Sequence, residues 1–348
     1  MENGALILEG GSLRSLFTSG VLDVFMENDL YFSDVTGVSA GALTGANYIS
    51  RQPGRTARIN IGFVNDRRYL GVNNLLRHHE IFNFDFLFDE IGRRILPMDF
   101  ETFQNSPMRF TAVATNLETG EAEYFEKSTC SDIFAAIRAS SSMPILSKAV
   151  TLDGKRYLDG GCAMAIPYQR AIDSGFQKIV LVLTRQQGYR KLYTPRPVLH
   201  AYARYFRRYP KFIRALCDIP TRYDRQQREI DRLEQAGRIF VIRPQKPVDV
   251  SHTERDTENA DRPVPGRPPR GRAPARSAPG LPRGITRKQK RRPPRSRGAG
   301  GVFYIVFYII YICLYRFVPS FTARFTRCAG PRARQAAPPR SRRRFPRS

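Results

Sequence analysis

A serine between two glycines offers the clearest chemistry in this chain. Residues Gly37-Val38-Ser39-Ala40-Gly41 match the pattern G-x-S-x-G, after a short apolar run and before a run of small residues. In this pattern a strand turns sharply into a helix, the serine hydroxyl is exposed, and the glycines let neighbouring backbone pass close by. The pattern predicts that Ser39 is a nucleophile, with a plain strand-to-helix turn as the alternative interpretation.

A second glycine turn, Gly10-Gly11-Ser12, follows the apolar run 5–8, and Arg14 lies two residues further on. Because Gly10 and Gly11 have no side chains, successive backbone N–H groups can face one point, which is what an oxyanion hole requires. Arg14 would add positive charge there. Glycines between a strand and a helix also bind phosphate, but neither G-x-G-x-x-G nor the G-K-[ST] of a P-loop is present.

An acid is the best candidate for the base. Tyr157-Leu158-Asp159-Gly160-Gly161 places a carboxylate after a strand-like segment and before two glycines, although an ordinary turn also explains D-G-G. The four histidines are His78, His79, His200 and His252. None follows a glycine-marked strand end, so we interpret them as solvated surface residues. The sequence therefore favours a Ser39–Asp159 dyad over a Ser-His-Asp triad, with partial desolvation raising the pKa of Asp159.

The elements expected to position these groups alternate between strands and helices. Strands are predicted over 5–8, 34–38, 108–115, 121–125, 178–184 and 238–243, and helices over 16–26, 40–50, 131–139 and 222–235. The run KIVLVLT at 178–184 is apolar throughout its centre, which is typical of a strand buried in a parallel sheet. This alternation predicts an α/β layered sheet.

The order of the three motifs resembles the patatin-like phospholipase family, as does the stretch AAIRASSSMPILSKAVTLDGKRYLDGG at 135–161. The resemblance implies a three-layer α/β/α fold with a mostly parallel sheet, a serine–aspartate dyad, and hydrolysis of lipid acyl esters without a metal or other cofactor. By position, Ser39 resembles the nucleophile and Asp159 the base, while Gly10, Gly11, Ser12 and Arg14 resemble the oxyanion hole.

The chain departs from the family where Ser12 and Ser15 stand, because members usually carry glycines at both positions. Ser12 still has a backbone N–H to donate, but its side chain would narrow the approach for bulky acyl chains. We expect deacylation of phospholipids or lysophospholipids. The alternatives are hydrolysis of smaller acyl esters or thioesters, and a catalytically weak lipid-binding protein.

Charge divides the chain near residue 250. The 348 residues include 57 Lys and Arg against 31 Asp and Glu, a net charge of +26, and 24 of those bases but only four of the acids fall in 251–348. We predict a patatin-like domain over 1–250 and a disordered, basic, Pro/Arg-rich tail over 251–348. The abrupt change in composition favours a frameshift after about residue 258. The apolar segment 302–318 would anchor a genuine tail in a membrane, and a nucleic-acid or anionic-lipid arm is the third interpretation.

Contact with a membrane is also predicted from the segment 174–217, which contains no Asp or Glu. Its basic residues include Arg185, Arg190, Lys191, Arg196, Arg204, Arg207, Arg208, Lys211 and Arg214. Aromatic residues interleave with them in AYARYFRRYPKF, which suits the surface of an anionic membrane. A solvated basic helix or a nucleic-acid surface would use the same residues, but we expect no specific nucleic-acid partner.

The cysteines indicate the compartment. Five widely spaced cysteines without a CxxC pair suggest neither a disulfide framework nor a zinc site. The apolar run at 5–8 is too short for a signal peptide. We therefore expect a cytoplasmic protein, peripheral to the inner face of the membrane.

Overall fold

The structure is a computed structural model that describes residues 1–71, 74 and 80–248. The strands are β1 (Glu2–Leu8), β2 (Phe32–Val38), β3 (Arg109–Asn116), β4 (Ala122–Glu126), β5 (Val150–Leu152), β6 (Lys155–Asp159), β7 (Ile179–Val182) and β8 (Phe240–Ile242). The helices are α1 (Ser15–Glu27), α2 (Ala40–Ile49), α3 (Arg55–Phe63), α4 (Phe86–Ile95, π-helical), α5 (Phe100–Asn105), α6 (Ile133–Ser141), α7 (Tyr168–Asp173), α8 (Arg196–Tyr205), α9 (Pro210–Cys217) and α10 (Ile219–Gln235). Short 3-10 turns span Ser12–Arg14 and Gly160–Cys162.

All eight strands join one sheet, hydrogen-bonded in the order β5-β6-β3-β2-β1-β7-β8, with β4 also paired to β3. The run β3-β2-β1-β7-β8 is parallel throughout, whereas β4, β5 and β6 pair antiparallel. Strand β1 lies at the centre of this parallel run. A strand in this position is covered on both faces, which suits its continuous apolar residues. The predicted mixed α/β fold with a mostly parallel sheet is confirmed.

Successive side chains of β1 alternate between the two faces of the sheet, and each face is covered by a layer of helices. Leu6 and Leu8 belong to a core cluster with side chains of α1, α2, α5 and α6. Ala5 and Ile7 point to the opposite face, into a cluster with side chains of α7 and α10. Because successive strand residues face opposite sides, one short apolar segment holds both helical layers against the sheet.

Strand β3 brings two distant parts of the chain end to end. Strand β2 pairs with β3 as far as Val113, and β6 pairs with it from Ala114 onwards. Strand β4 pairs along both parts. Since a strand has only two edges, β2 and β6 must share the edge opposite β4. Val38 pairs with Val113 and Asp159 with Ala114, so the carboxyl ends of β2 and β6 meet.

The predicted elements are present with shifted ends, and the predicted hairpin of β3 and β4 is formed. The sequence patterns gave no indication of α3, α4, α5, α7, α9 or β5, and α8 overlaps the basic aromatic segment for which a solvated helix is one interpretation. The short helices have mixed polar and apolar faces, and helices of this length are stabilised mainly by tertiary packing. None of the helices in the described ranges is long and apolar enough to cross a bilayer. The predicted tail at 251–348, including the apolar segment 302–318, lies outside the described residues.

Candidate active site

Ser39 stands between the last residue of β2 and the first residue of α2. Its backbone has φ 56° and ψ −128°, a conformation that non-glycine residues rarely adopt. A Cβ added at Gly37 would lie 2.6 Å from the Cα of Ala42, and one at Gly41 would lie 2.4 Å from the carbonyl oxygen of Leu8. Both glycines are therefore required for the close packing of this turn, which leaves the serine strained and half-buried.

The hydroxyl of Ser39 donates a hydrogen bond to Oδ2 of Asp159, with 2.6 Å between the two oxygens. The other carboxylate oxygen, Oδ1, accepts from the backbone N–H of Gly161 at 2.8 Å. Burial raises the pKa of Asp159 to about 6, although both hydrogen bonds and the positive charge of Lys191 act in the opposite direction. A carboxylate with this pKa can accept a proton near neutral pH.

The end of α6 holds both members of this pair. The Oγ of Ser140 accepts a hydrogen bond from the backbone N–H of Ser39 at 2.8 Å. The carbonyl oxygen of Ser142 accepts from the backbone N–H of Asp159 at 2.8 Å. The sequence patterns missed these contacts, and the one available signal was the serine run 140–142 at the end of a helix that is otherwise apolar except for Arg138. Because buried hydroxyl groups usually form hydrogen bonds, serines at this position indicate contacts with other parts of the chain.

The first glycine turn packs directly against the nucleophile turn. A Cβ added at Gly10 would lie 2.8 Å from the Cβ of Ser39, and one at Gly11 would lie 2.7 Å from Oγ1 of Thr184. Ser12 has φ 53°, in the left-handed region that favours glycine. This conformation explains why a glycine is usual at that position, and the Oγ of Ser12 is buried without a hydrogen-bond partner.

Ser39 lies where two cavities meet. One cavity encloses about 960 Å³ of empty space, part of it open to solvent, and its lining is mostly apolar, with Leu43, Phe84 and Phe134 among its residues. The other is a cleft of about 870 Å³ that Asp159 also lines. Ser12 borders both cavities. A molecule whose reacting bond lies at Ser39 can therefore extend into the apolar cavity on one side and into the more polar cleft on the other.

Three cationic residues line the polar cleft: Arg14, Arg185 and Lys191. The sequence placed Arg14 beside the glycine turn, as observed, but assigned Arg185 and Lys191 to an outer basic surface. The structure instead turns both residues toward the cleft that contains Ser39. The path of the chain after β7 determines the orientation of these two side chains. The sequence does not indicate it, because several residues of this segment are basic and no pattern distinguishes those that face the cleft.

His200, the one histidine among the described residues, lies on α8, where its Nδ1 is 2.9 Å from the carbonyl oxygen of Arg196. It is exposed, as predicted, and does not line the cleft. His78, His79 and His252 lie outside the described residues. Within 1–71, 74 and 80–248, no group of three or more His, Cys, Asp or Glu side chains is arranged to hold a metal ion.

Two sequence-family models match parts of the chain. Residues 6–172 match the family model of the patatin-like phospholipases, and residues 209–261 match a domain of unknown function (DUF6363). The second match crosses the domain boundary predicted at residue 250. The chain is also similar to the uncharacterized protein YjjU of Escherichia coli (strain K12), with 29% identity over 263 residues, 70% of this chain and 69% of that protein.

Among solved structures, the chain is similar to VipD from Legionella pneumophila, with 14% identity and a TM-score of 0.35. The match covers 55% of this chain and 51% of the VipD chain, so it spans about half the length of that protein.

Proposed function

Because residues 6–172 make this chain a member of the patatin-like phospholipase family, we propose that it deacylates phospholipids or lysophospholipids through Ser39 and Asp159. The observation that carries this proposal is the 2.6 Å hydrogen bond from the Ser39 hydroxyl to the Asp159 carboxylate. Membership of the family supports a lipid acyl hydrolase as the class of enzyme. The roles of the two residues and the identity of the lipid are parts of the proposal.

In the first chemical step, the Ser39 Oγ attacks the carbonyl carbon of the ester while its proton passes to Oδ2 of Asp159. Negative charge then develops on the former carbonyl oxygen. The backbone N–H groups of Gly10, Gly11 and Ser12 are the donors we assign to this oxyanion, and Arg14 adds positive charge nearby. When the tetrahedral intermediate collapses, the bond to the alcohol oxygen breaks and Asp159 returns the proton to that leaving group.

The second step removes the acyl group from Ser39. Water attacks the acyl carbonyl, Asp159 accepts a proton from the water, and the oxyanion again occupies the glycine turn. Collapse releases a fatty acid and restores the Ser39 hydroxyl with the proton that Asp159 held. One carboxylate thus acts as base and then acid in each half of the cycle, for which a pKa of about 6 is suitable.

The apolar cavity supports a lipid acyl chain as the group that is transferred. Its lining includes Leu43, Phe84 and Phe134, and also residues of the π-helical α4, namely Leu87, Phe88 and Gly92. Apolar surface is favourably removed from water in such a space. The alternative substrates, smaller esters or thioesters, would leave much of the cavity without contacts.

The α8–α9 surface supports contact with an anionic membrane. Its exposed basic residues include Arg196, Arg204, Arg207, Arg208, Lys211 and Arg214. Exposed Tyr205 lies among them, and exposed Leu192 and Tyr193 precede α8. Basic residues interleaved with exposed aromatic and aliphatic side chains favour an interface between lipid and water. Because Tyr202 on α8 and Leu216 on α9 line the cleft, a membrane held at this surface would adjoin the proposed catalytic pair.

We place the protein in the cytoplasm, at the inner face of the membrane, where anionic lipids supply negative surface charge. Cys130, Cys162 and Cys217 are free thiols, which is the expected state in a reducing compartment. Cell fractionation with the full chain tests the location. Recovery only from a secreted or periplasmic fraction would contradict it.

Labelling with a fluorophosphonate tests the nucleophile. Wild type should be labelled at Ser39, and Ser39→Ala should not. Turnover of phospholipid vesicles is then compared with that of short-chain nitrophenyl esters, since faster turnover of the short esters favours the alternative substrates. Absence of both labelling and turnover favours the catalytically weak lipid-binding protein.

Vesicle flotation tests the membrane surface separately. Binding to vesicles with anionic lipid should exceed binding to zwitterionic vesicles and should weaken with salt. A variant with Arg207→Gln, Arg208→Gln and Lys211→Gln should lose this preference, whereas the exposed control Arg232→Gln on α10 should keep it. Equal binding to both kinds of vesicle removes the membrane proposal.

A further inference from the structure

The cationic side chains of the cleft are not neutralised by ion pairs within the described part of the chain. No ion pair joins Arg14, Arg185 or Lys191 to an acid in the described part of the chain. The Nε of Arg14 is buried without a hydrogen-bond partner. Lys191 lies over the ring of Tyr223 at 4.9 Å from Nζ to the ring centre, and Arg185 over that of Tyr189 at 4.3 Å.

Glu9, whose negative charge acts on both Arg14 and Lys191, is already engaged. It is only 4% exposed, and its Oε2 accepts hydrogen bonds from the backbone N–H of Thr184 at 2.6 Å and from the Thr184 hydroxyl at 3.1 Å. Its Oε1 accepts from the hydroxyl of Tyr223 at 2.7 Å. Glu9 therefore ties the glycine turn to β7 and α10 rather than pairing with a cation.

The charges in the cleft also oppose one another. Burial lowers the pKa of Arg14, and the charge of Arg185 lowers it further. Burial likewise lowers the pKa of Lys191, against the attraction of Glu9. Partly buried cations without partners are costly in a folded protein. A bound anion would supply the missing partner, and phosphate oxygens accept strong hydrogen bonds from Arg and Lys.

We propose that Arg14, Arg185 and Lys191 bind the phosphate of a lipid substrate that carries net negative charge, one whose head group lacks a choline or ethanolamine. This inference rests on the proposed function, because it places the ester at Ser39, the acyl chain in the apolar cavity and the head group in the cleft. The choice between anionic and zwitterionic lipids then depends on the cleft itself and not only on the outer surface.

Turnover of matched lysophospholipids tests this selectivity. Lysophosphatidylglycerol and lysophosphatidylcholine with the same acyl chain are compared at equal mole fractions in uncharged detergent micelles. We expect kcat/KM at least tenfold higher for the anionic lipid. Arg185→Gln and Lys191→Gln should each lower this ratio at least threefold, and thermal unfolding of each variant checks that it is folded.

Arg190→Gln is the matched control for general attraction of anionic lipid. Arg190 is exposed, lies between the two cleft cations in sequence, and among the described residues donates to the carbonyl oxygen of Tyr189. It should keep the wild-type ratio. Equal rates for the two lipids with wild type, or an equal loss of the ratio in Arg190→Gln, would overturn the inference while leaving the proposed hydrolase intact.

Binding to Ser39→Ala tests the inference independently of turnover. Calorimetry should show dodecyl phosphate binding at least tenfold more tightly than an uncharged dodecyl glycoside, both below their micelle concentrations, with the advantage reduced when Lys191→Gln is added. Equal binding of dodecyl phosphate and the glycoside overturns the inference, as does inorganic phosphate binding as tightly as dodecyl phosphate, because the site would then recognise free phosphate. If no ester is hydrolysed but the charge preference in binding persists, the proposed function fails and the anion site stands.

Discussion

The side chain of Ser140 accepts a hydrogen bond from the backbone N–H of Ser39 at 2.8 Å, across 101 positions of sequence. Ser140 is completely buried at the end of α6. Because Ser39 has a strained backbone, this bond helps to hold its amide, and hence its hydroxyl, in the orientation that faces Asp159.

Ser140→Ala should therefore reduce catalysis by misplacing Ser39. We expect kcat to fall by roughly fivefold, the cost of one neutral hydrogen bond of about 1 kcal/mol, with little change in KM. The rate of fluorophosphonate labelling should fall in parallel, and Ser140→Thr should restore part of both. Ser131→Ala, which removes the exposed hydrogen bond from Ser131 to Asp153 before α6, is the control. Equal effects of the two Ala variants would reject a positioning role for Ser140.

The activity should depend on the ionisation of Asp159. Because burial raises the pKa of this carboxyl to about 6, kcat/KM for a neutral ester should rise with pH through about 6 and then level off. Asp159→Asn should lower kcat by about 10²–10⁴-fold, the usual contribution of a general base. A profile that rises only above pH 7, or near-normal turnover by the Asn variant, would point to another base.

The same carboxyl should also influence stability. Between its ordinary value of 3.8 and about 6, folded Asp159 keeps a proton that the unfolded chain has lost. The free energy of unfolding should therefore decrease as pH rises through this window, by up to about 3 kcal/mol. Denaturant unfolding of Asp159→Asn should show a smaller decrease than wild type between pH 4 and pH 7. Parallel curves for the two proteins would contradict the raised pKa.

Gly160→Ala should destabilise the fold, since the added Cβ would lie 2.1 Å from the carbonyl oxygen of Val113 at the junction of β2, β3 and β6. We expect a loss of about 2–4 kcal/mol in the free energy of unfolding, measured with denaturant. Gly62→Ala is the matched control. Nothing lies within 4 Å of a Cβ at this position on α3, so helix propensity should make it neutral or slightly stabilising.

Ser12→Gly should widen the passage between the two cavities, because Ser12 borders both. Turnover of diacyl relative to monoacyl phospholipid should increase severalfold. Ser12→Ala removes the unpartnered hydroxyl but keeps the Cβ and the left-handed strain, so it should change this ratio less. If Ser12→Ala has the larger effect, the hydroxyl and not the width of the passage governs substrate size.

The turns and the buried strands of this protein can be located from local sequence patterns. Ser39 could be located because its flanking glycines are a local requirement, imposed by backbone within about 3 Å. The apolar runs of β1 and β7 similarly indicate strands buried on both faces. The candidate base was also found locally, from the glycines after Asp159, although the same pattern suits an ordinary turn.

Which of these local features lie next to each other depends on the three-dimensional fold. Val113 and Ala114 are consecutive residues, yet they pair with Val38 and Asp159, which are 121 positions apart in the chain. That pairing places the carboxyl ends of β2 and β6 together, and hydrogen bonds to the end of α6 hold them there. The orientation of Arg185 and Lys191 into the cleft is equally non-local. Strand pairing and burial depend on which surfaces fold against each other, and no short stretch of residues carries that information.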